Sequence, residues 1–489
     1  MVEKLTDVTY RLLIGGEFRE ATSGQTFETF NPATGEKLAD VPLAGREDVD
    51  AAVQAAKRAF PEWWERSPME RGRFLHRLAA RLRERAPEYA MLDALDGGNP
   101  VKSMLFDVEM AAQTLEYFAG LAPEVKGETI PTTAGMLNLT RREPYGVVGR
   151  IIPFNHPILF AASRIAAPLA AGNTVVLKPA EQTPLSALEF AKDVAEIFPP
   201  GVVNIVTGDG PTTGAALVEH PEVRRIAFTG SVETGRIIMR AAAEQLKVLS
   251  LELGGKNPII IFPDAEIEAA TEAIVTGMNF MWCQGQSCGS TSRLFVHESL
   301  YEPVVERVIE RVRKIRIGLP MEDDAEMGCL VSEEQYQKVM GYIELGKSAG
   351  FRLLWGGGKP EGEKFQRGYF VAPTIFGGVD ARSRLAQEEI FGPVLSVIRW
   401  NRYEEMIEAV NSVQYGLTAS IWTRNFSQAE RAARDVQAGY VWINDSSRHY
   451  IGVPFGGYKQ SGIGREESLD ELLGYTQLKA VNINLTKGW

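Results

Sequence analysis

Cys288 is the side chain of this sequence best suited to do chemistry, because it lies among small residues in a glycine-bounded segment. Such a segment is poor material for a helix interior and suits a loop against which a substrate can lie. Upstream, Glu252 ends an apolar run just before Gly254 and Gly255. A thiol nucleophile and a carboxylate base on glycine-flanked turns indicate covalent catalysis. The alternative is an inert packed cysteine and a surface glutamate, since free cysteines are often buried.

Two further segments could hold a dinucleotide. Lys178 follows a short apolar run, and Glu181 lies three residues later. A carboxylate at a strand end can accept ribose hydroxyls and would repel a 2′-phosphate, which favours NAD over NADP; a solvated turn is the alternative. Gly230 and Ser231 stand between a strand pattern and a helix pattern, where glycine lets the backbone approach a pyrophosphate. Their spacing is not the usual dinucleotide fingerprint.

An amide and an acidic–aromatic pair complete the set of candidates. Asn155 stands between Pro153 and Pro157, which fix the backbone and could aim the amide at an oxyanion. A locally satisfied turn residue is the alternative. Further on, Glu389 could hold a ribose and Phe391 could pack against a nicotinamide. The start of a solvated strand explains that acidic segment equally well.

The elements that would position these residues follow from length and periodicity. A chain of 489 residues predicts two or three domains. Apolar residues at helical spacing predict helices over 47–120, and short apolar runs alternating with alanine-rich stretches over 147–253 predict a parallel, doubly wound α/β sheet. A second alternation over 257–445 ends in 441–444, which we expect to be its last buried strand. Residues 476–485 alternate polar and apolar, as in an edge strand that could join another subunit.

Composition excludes several classes of function. The net charge of −11 argues against a nucleic-acid-binding surface, and 45% hydrophobic with 24% charged residues is typical of a soluble globular protein. Three cysteines indicate a reducing compartment, which predicts a cytoplasmic protein. The segment 1–7 lacks the apolar stretch of a secretory signal, and no apolar run approaches a membrane span. No metal is expected.

The motifs together resemble the aldehyde dehydrogenase superfamily of the non-acylating, hydrolytic type. The strongest are 251–258, Leu-Glu-Leu-Gly-Gly-Lys-Asn-Pro, and 285–288, Gly-Gln-Ser-Cys, and the likeness runs from Ile14 to Gly462. The resemblance implies a Rossmann-like doubly wound sheet for NAD, a second α/β catalytic domain and a small β-strand oligomerisation flap. It implies these boundaries: 1–125 and 146–255 for NAD binding, 256–460 for catalysis, and 126–145 and 472–489 for oligomerisation into a homodimer or a homotetramer.

The resemblance also implies roles for the candidate residues. Cys288 would be the nucleophile, Asn155 and the Cys288 backbone N–H the oxyanion hole, and Glu252 the base that activates the deacylating water. Lys178 and Glu181 would hold the adenine ribose and Glu389 the nicotinamide ribose. Phe154 stands where the family usually has tryptophan, so an aromatic is kept there. The cofactor-binding set is Lys178, Glu181, Phe154, Gly230, Ser231, Glu389 and Phe391.

The substrate pocket implied by the resemblance is wider and more polar than one for simple aliphatic aldehydes. A serine replaces a common bulky aromatic in it, and two histidines replace common phenylalanines. Arg448 lies beside this pocket and could pair a substrate carboxylate. The two histidines could equally be satisfied by backbone groups and merely fill volume. The predicted lining residues are Met110, His156, Ser163, Trp282, Ser287, Ser447, His449 and Phe455.

Two further departures from the family pattern and three rival functions bear on this prediction. Cys283 could form a protective bond with Cys288, or simply be packed. Arg164 replaces a common lysine, while Glu466 is kept, so a charged pair between them could survive. The rivals are a coenzyme-A-acylating enzyme, which would lack Glu252, a semialdehyde dehydrogenase acting on a carboxylate-bearing aldehyde, and a catalytically silent structural homologue, which would have lost Cys288 or Glu252. The small-molecule aldehyde itself is not identified by the sequence.

Overall fold

Residues 8–486 are described by a computed structural model, so the predicted absence of a signal in 1–7 lies outside the described residues, as do residues 487–489 of the predicted oligomerisation segment. The described chain begins with two short antiparallel pairs. Gly15 and Gly16 connect the first pair with φ of 64° and 83°, as a tight hairpin turn requires. These strands are β1 (Leu12–Ile14), β2 (Glu17–Arg19), β3 (Thr26–Phe30) and β4 (Lys37–Pro42).

Four helices follow where helical spacing predicted them. The second starts with a capping box, in which Ser67 and Glu70 bind each other's backbone N–H, and with Pro68 in its first turn. The fourth buries one face against its neighbours and carries Asp107 on that buried face. The helices are α1 (Arg46–Glu65), α2 (Pro68–Glu84), α3 (Ala86–Gly97) and α4 (Val101–Leu121).

After the antiparallel strands β5 (Thr129–Ile130) and β6 (Met136–Pro144), the chain enters the predicted first α/β alternation. Its strands are almost wholly buried, because helices cover both faces of the sheet. All five apolar runs of 147–253 form strands, which confirms that prediction. The elements are β7 (Val147–Ile151), α5 (Pro157–Ser163), α6 (Ala166–Ala170), β8 (Thr174–Lys178), α7 (Leu185–Ile197), β9 (Val203–Ile205), α8 (Ala215–Glu219), β10 (Val223–Thr229), α9 (Val232–Ala243) and β11 (Val248–Glu252).

The second predicted alternation of strands and helices follows directly. Its elements are β12 (Pro258–Ile261), α10 (Ile267–Gly277), α11 (Phe280–Cys283), β13 (Arg293–His297), α12 (Tyr301–Arg313), α13 (Glu333–Ser348), β14 (Arg352–Trp355), β15 (Thr374–Gly377), α14 (Arg384–Gln387), β16 (Val394–Trp400), α15 (Tyr403–Asn411), β17 (Tyr415–Gly416), β18 (Thr418–Trp422), α16 (Phe426–Asp435) and β19 (Tyr440–Ile443). The chain closes with β20 (Tyr458–Lys459), β21 (Gly462–Ile463), α17 (Leu469–Gly474) and β22 (Thr476–Asn484).

The first large sheet has the strand order β2-β1-β9-β8-β7-β10-β11-β21. Strands β7 to β11 are parallel to one another. From β7 the chain adds β8 and then β9 toward one edge of the sheet, and from β10 it adds β11 toward the other edge. The boundary between β7 and β10 is therefore the topological switch point, beyond whose carboxyl ends such sheets bind ligands. The returning strand β21 pairs Gly462 with Glu252 and so fixes the end of β11.

The second large sheet has the order β14-β15-β16-β13-β12-β18-β19, parallel except for the β14–β15 pair. This confirms the predicted α/β fold with two parallel sheets. The strand expected at 441–444 is present as β19, but the expectation that it is buried is wrong for its end, because β19 lies at the sheet edge and Ile443 is 43% exposed. The predicted domain boundaries remain predictions.

A third sheet, of order β22-β6-β5, is antiparallel and stands apart from the two parallel sheets. β22 pairs along its whole length with β6 and forms one edge of that sheet, as predicted for the C-terminal segment. Within 8–486, no helix combines the length and the apolar character that crossing a membrane requires.

Candidate active site

Cys288 lies on a turn between α11 and β13, with its thiol partly exposed. The Asn257 side chain anchors this turn by donating hydrogen bonds to the carbonyl oxygens of Cys288 (2.7 Å) and Ser290 (3.0 Å). A Cβ atom at Gly255 would stand 2.6 Å from the Cys288 carbonyl oxygen. The glycine pair after Glu252 therefore has a steric reason, which is to let the base-bearing segment approach the cysteine turn.

The thiol of Cys288 is held in its protonated form. Burial raises its pKa to about 12, with further contributions from the negative charges of Glu389 and Glu252. A thiolate is the nucleophilic form of cysteine. The thiol is therefore unreactive until a base removes its proton or a positive charge enters the site.

Glu252 is the last residue of β11, and its side chain is buried. Neither carboxylate oxygen has a hydrogen-bond partner among residues 8–486. Burial raises its pKa well above the ordinary value, and the negative charge of Glu466 adds to the effect. A buried carboxylate with free oxygens and a raised pKa is suited to take a proton near neutral pH. The alternative interpretation of Glu252 as a surface residue is therefore wrong.

Asn155 lies in the turn between β7 and α5, next to the cysteine loop. Its amide nitrogen donates a hydrogen bond of 2.9 Å to the carbonyl oxygen of Gln286. An amide nitrogen carries two protons, so one donor is left over. Within residues 8–486, the backbone N–H of Cys288 has no acceptor either. These two free donors are the pair that the sequence predicted for an oxyanion hole.

Lys178 and Glu181 lie where β8 ends, beside the switch point of the first sheet. The buried Lys178 ammonium donates to the carbonyl of Pro179 (3.1 Å) and to Glu181 (3.4 Å), which leaves one of its three donors free. Burial lowers the pKa of Lys178, and Glu181 opposes that shift. The Glu181 side chain is 41% exposed, so its carboxylate is open to a ligand.

Gly230 and Ser231 lie between β10 and α9, on the other side of the switch point. The Ser231 hydroxyl caps α9 by accepting the backbone N–H of Thr234 at 3.1 Å. A Cβ at Gly230 would stand 2.4 Å from the Phe228 ring, so only glycine fits this close turn. The turn thus presents the amino end of a twelve-residue helix at the sheet edge where a pyrophosphate would be bound.

Glu389 and Phe391 come from the second α/β unit and reach the same place. Glu389 accepts a hydrogen bond of 2.8 Å from the backbone N–H of Gly255, so it contacts the segment that carries Glu252. Phe391 has a φ of 57°, unusual for a side chain of its size, and its ring meets that of Phe154 edge-on at 5.7 Å. These two contacts place Glu389 and Phe391 beside the segments that follow β11 and β7 of the first sheet.

A cavity of about 480 Å³ opens between α4, α11 and the segment 445–451, and Cys288 is not among its lining residues. Four of the eight predicted pocket residues line it, namely Met110, Trp282, Ser447 and His449. The other lining residues are Phe106, Gln113, Thr276, Asn279, Met281, Asp445, Ser446, Arg448 and Ile451. Phe455 packs against His449 and shares an apolar cluster with Cys288. Ser163 is buried on α5, and Ser287 directly precedes Cys288.

The two predicted pocket histidines are bound by carboxylates and not by backbone groups. His156 Nδ1 lies 2.7 Å from Asp107 Oδ2, and the other oxygen of Asp107 accepts the indole N–H of Trp282 at 2.9 Å. His449 Nδ1 lies 2.9 Å from Glu467 Oε2. The interpretation that backbone groups satisfy both rings is therefore wrong.

Comparison with known proteins identifies the family. The sequence profile of the "Aldehyde dehydrogenase family" matches residues 18–481. The chain belongs to this family. It is 46% identical over 491 residues to aldehyde dehydrogenase tropH of Talaromyces stipitatus, covering 99% of this chain and 95% of that protein.

Solved aldehyde dehydrogenases have the same fold. The NAD+ complex of the Bacillus cereus enzyme superposes with a TM-score of 0.95 at 44% identity, covering 99% of this chain and 98% of that one. A Staphylococcus aureus betaine aldehyde dehydrogenase, also solved with NAD+, gives a TM-score of 0.96 at 35% identity, covering 100% and 97% of the two chains. The resemblance inferred from the sequence is thus confirmed.

The structure shows which residues surround the positions at which this aldehyde dehydrogenase departs from the family pattern. Arg164 and Glu466 form the expected pair at 3.1 Å, and a further buried arginine, Arg150, binds the same glutamate at 2.6 Å. Burial raises the pKa of Glu466, but the two arginines outweigh it and lower the pKa. Cys283 is fully buried and unpaired, as expected for a packed thiol.

Three residues of the site were missed by reasoning from the sequence. Asp107 reads as one more charge on an amphipathic helix, although it is fully buried and orients His156. Glu467 and Arg150 lie in segments without any local motif. Only Asp107 had a signal in the sequence. Helical spacing places it on the buried face of α4, where a charge is not stable unless it has a partner.

Proposed function

We propose that the protein oxidises an aldehyde to the carboxylic acid with NAD, through a covalent adduct on Cys288. The observation that carries this proposal is the juxtaposition of Cys288 with a buried carboxylate, Glu252, whose oxygens are free and whose charge acts on the thiol. A catalytically silent homologue would have no reason to keep this costly burial. A coenzyme-A-acylating enzyme would not need the base.

The chain's own groups account for each covalent step. Cys288 releases its thiol proton to solvent and its sulfur adds to the carbonyl carbon, while the free amide N–H of Asn155 and the Cys288 backbone N–H stabilise the oxyanion. NAD, when bound, supplies the hydride acceptor. Cys288 is then left as a thioester, and a water molecule attacks it while Glu252 takes the water's proton. The adduct then expels the Cys288 sulfur as the carboxylic acid forms, and Glu252 returns the proton, which restores the thiol.

The residues at the switch point fit a dinucleotide. Lys178 is buried with one donor free, Glu181 is an exposed acceptor beside it, and Gly230 opens the amino end of α9. Glu389 would hold the nicotinamide ribose from the other side. The negative charge of Glu181 favours a free 2′-hydroxyl over a 2′-phosphate, which supports NAD over NADP.

Replacing Glu181 with serine is expected to weaken NAD and improve NADP. A hydrogen bond to a charged group contributes about 1.5–3 kcal/mol, so KM for NAD should rise by about tenfold or more. Steady-state kinetics with both cofactors measures the change. Glu181→Gln is the matched control, because it keeps an acceptor oxygen and removes only the charge. A wild-type enzyme that already uses NADP as well as NAD would contradict the assignment.

We infer that the substrate is a bulky, polar or aromatic aldehyde. The cavity of about 480 Å³ is far larger than a two-carbon aldehyde needs, and its lining residues include His449, Trp282 and Phe106. Production of NADH with aliphatic, aromatic, amino and acidic aldehydes tests the function and its range together. Acetaldehyde as the best substrate by kcat/KM would contradict the inference.

A semialdehyde is the second candidate, and Arg448 is the observation that favours it. Arg448 lies at the cavity wall, exposed, with its guanidinium 5.7 Å from the Tyr450 ring centre and without a carboxylate partner among residues 8–486. Such a cation could meet the carboxylate of an acidic aldehyde.

If the substrate is acidic, Arg448→Met should raise KM for carboxylate-bearing aldehydes only. Exposed ion pairs contribute up to about 1 kcal/mol, so the expected rise is about fivefold. KM is measured for acidic and neutral aldehydes in parallel, with Arg240→Met on α9 as a control for the loss of one positive charge. Equal losses for both kinds of aldehyde would show that Arg448 has a structural role instead.

Assembly and location are further proposals. The edge strand β19 exposes Ile443, and β22 exposes Leu478, so both sheets offer unpaired edges with apolar side chains. We propose that copies of the chain associate through these edges as a homodimer or a homotetramer.

All three cysteines are unpaired, which supports a reducing, cytoplasmic compartment.

A further inference from the structure

His449 is an imidazole held rigidly in the cavity wall. Its ring lies 4.6 Å from the Phe455 ring and 6.1 Å from the Tyr440 ring, which is stacked with it. Phe455 and Tyr440 belong to the same apolar cluster as Cys288. Phe455 thus connects His449 to the cluster that contacts Cys288, and His449 itself lines the cavity of about 480 Å³.

Glu467 fixes which nitrogen of His449 carries the proton. Burial raises the pKa of Glu467, but His449 and Arg164 outweigh it and lower the pKa to about 2. The carboxylate is therefore ionised and can only accept a hydrogen bond. It follows that His449 Nδ1 is the donor across the 2.9 Å contact with Glu467. In the neutral imidazole, Nε2 is then an acceptor.

The backbone around this pair is held in uncommon conformations. Glu467 has a φ of 67° and Ser447, two residues before His449, has a φ of 60°, although neither is glycine. Arg164 lies 3.4 Å from Glu467 and the carboxylate of Glu471 accepts the Glu467 backbone N–H at 2.7 Å, so several contacts hold the strained residue in place. Strain of this kind persists where surrounding structure enforces it, commonly at functional sites.

His449 Nε2 has no hydrogen-bond partner among residues 8–486, while the ring lines the cavity. A ring that only fills volume would not need an ionised carboxylate behind it. When the ring is neutral its Nε2 lone pair can accept an O–H, and the negative charge of Glu467 behind the ring disfavours a second carboxylate. Trp282 and Phe106 also line this cavity, and such aromatic walls suit a flat ring.

We propose that His449 determines specificity by accepting a hydrogen bond from a hydroxyl group on an aromatic aldehyde. The inference rests on the proposed aldehyde oxidation and names its substrate class. Glu467 orients the His449 ring and is therefore a positioning residue. An aldehyde with a methyl group in place of the hydroxyl cannot pair with Nε2 and displaces the water that could, which lowers its transition-state binding.

The test compares matched aldehydes in wild-type and variant enzymes. We would measure kcat/KM for 3- and 4-hydroxybenzaldehyde and for the corresponding methyl compounds, following the acid product by chromatography. The decisive quantity is the hydroxyl-to-methyl ratio in the wild type divided by that in His449→Phe. Intrinsic reactivity differences between the aldehydes cancel in this quotient. His76→Phe, at an exposed position on α2, is the matched control.

The proposal expects the quotient to be about tenfold or more for at least one pair, with the methyl aldehydes still oxidised by His449→Phe. His449→Gln, which keeps an acceptor oxygen, should recover part of the ratio and also serves if the phenylalanine variant does not fold. A quotient within twofold of one for both pairs, in an active folded variant, would overturn the proposal. Failure of the wild type to oxidise any aldehyde would instead overturn the proposed function itself.

Discussion

Replacing Cys288 with alanine is expected to abolish aldehyde oxidation and to leave NAD binding nearly intact. In the proposed mechanism the thiol forms the bond to the substrate, whereas the proposed cofactor residues Lys178 and Glu181 lie at the end of β8. Removal of a covalent nucleophile lowers turnover by about 10⁴-fold or more. NADH production measures turnover, and the thermal shift on adding NAD measures binding.

Cys283→Ala is the matched control, because it removes the thiol nearest in sequence. Cys283 is fully buried and unpaired, so its loss should reduce stability more than turnover. Near-normal turnover of the Cys288→Ala variant, or an inactive Cys283→Ala variant that is folded, would remove the assignment of the nucleophile.

Glu252→Gln is expected to form NADH in one burst and then to stop turning over. Acylation of Cys288 produces NADH, whereas hydrolysis of the thioester needs a base, so steady-state turnover should fall by about 10²- to 10⁴-fold. Glutamine has nearly the same shape, and no hydrogen bond to either Glu252 oxygen would be lost within residues 8–486. Rapid-mixing absorbance separates burst from steady state.

The pH dependence of turnover tests independently whether Glu252 is the base. Burial raises the pKa of Glu252, so the carboxylate that accepts the proton accumulates only above the ordinary glutamate range. Steady-state turnover of the wild type should therefore rise with pH through the raised pKa, and this rise should vanish in Glu252→Gln. Loss of both burst and turnover would place Glu252 in activation of the thiol, and full turnover would show that it is not the base.

The sequence predicted the framework well because its signals are local. Each apolar run over 147–253 is bounded by its own turn residues, and burial on both sheet faces leaves such strands without polar alternation. Cys288 and Glu252 could be singled out because glycines flank them. Those glycines are required by close approaches, such as that of Gly255 to the Cys288 carbonyl, which constrain the sequence directly.

The sequence did not reveal what depends on tertiary neighbours. Burial of a strand requires another strand or helix beside it, so the exposure of Ile443 at the edge of β19 has no signal in residues 441–444. The carboxylates that orient the two pocket histidines come from α4 and from the segment before α17. Spacing along the chain carries no information about such pairs, because folding alone brings them together.

The most direct test of the central claim is mass spectrometry of the acylated enzyme. Glu252→Gln is mixed with NAD and an oxidisable aromatic aldehyde, quenched in acid during the burst, and digested. The account predicts that the peptide containing Cys288 gains the mass of the aldehyde less two hydrogen atoms, as a thioester on Cys288 requires. An unmodified Cys288 peptide after a full NADH burst, or the same mass on another residue, would contradict covalent catalysis by Cys288.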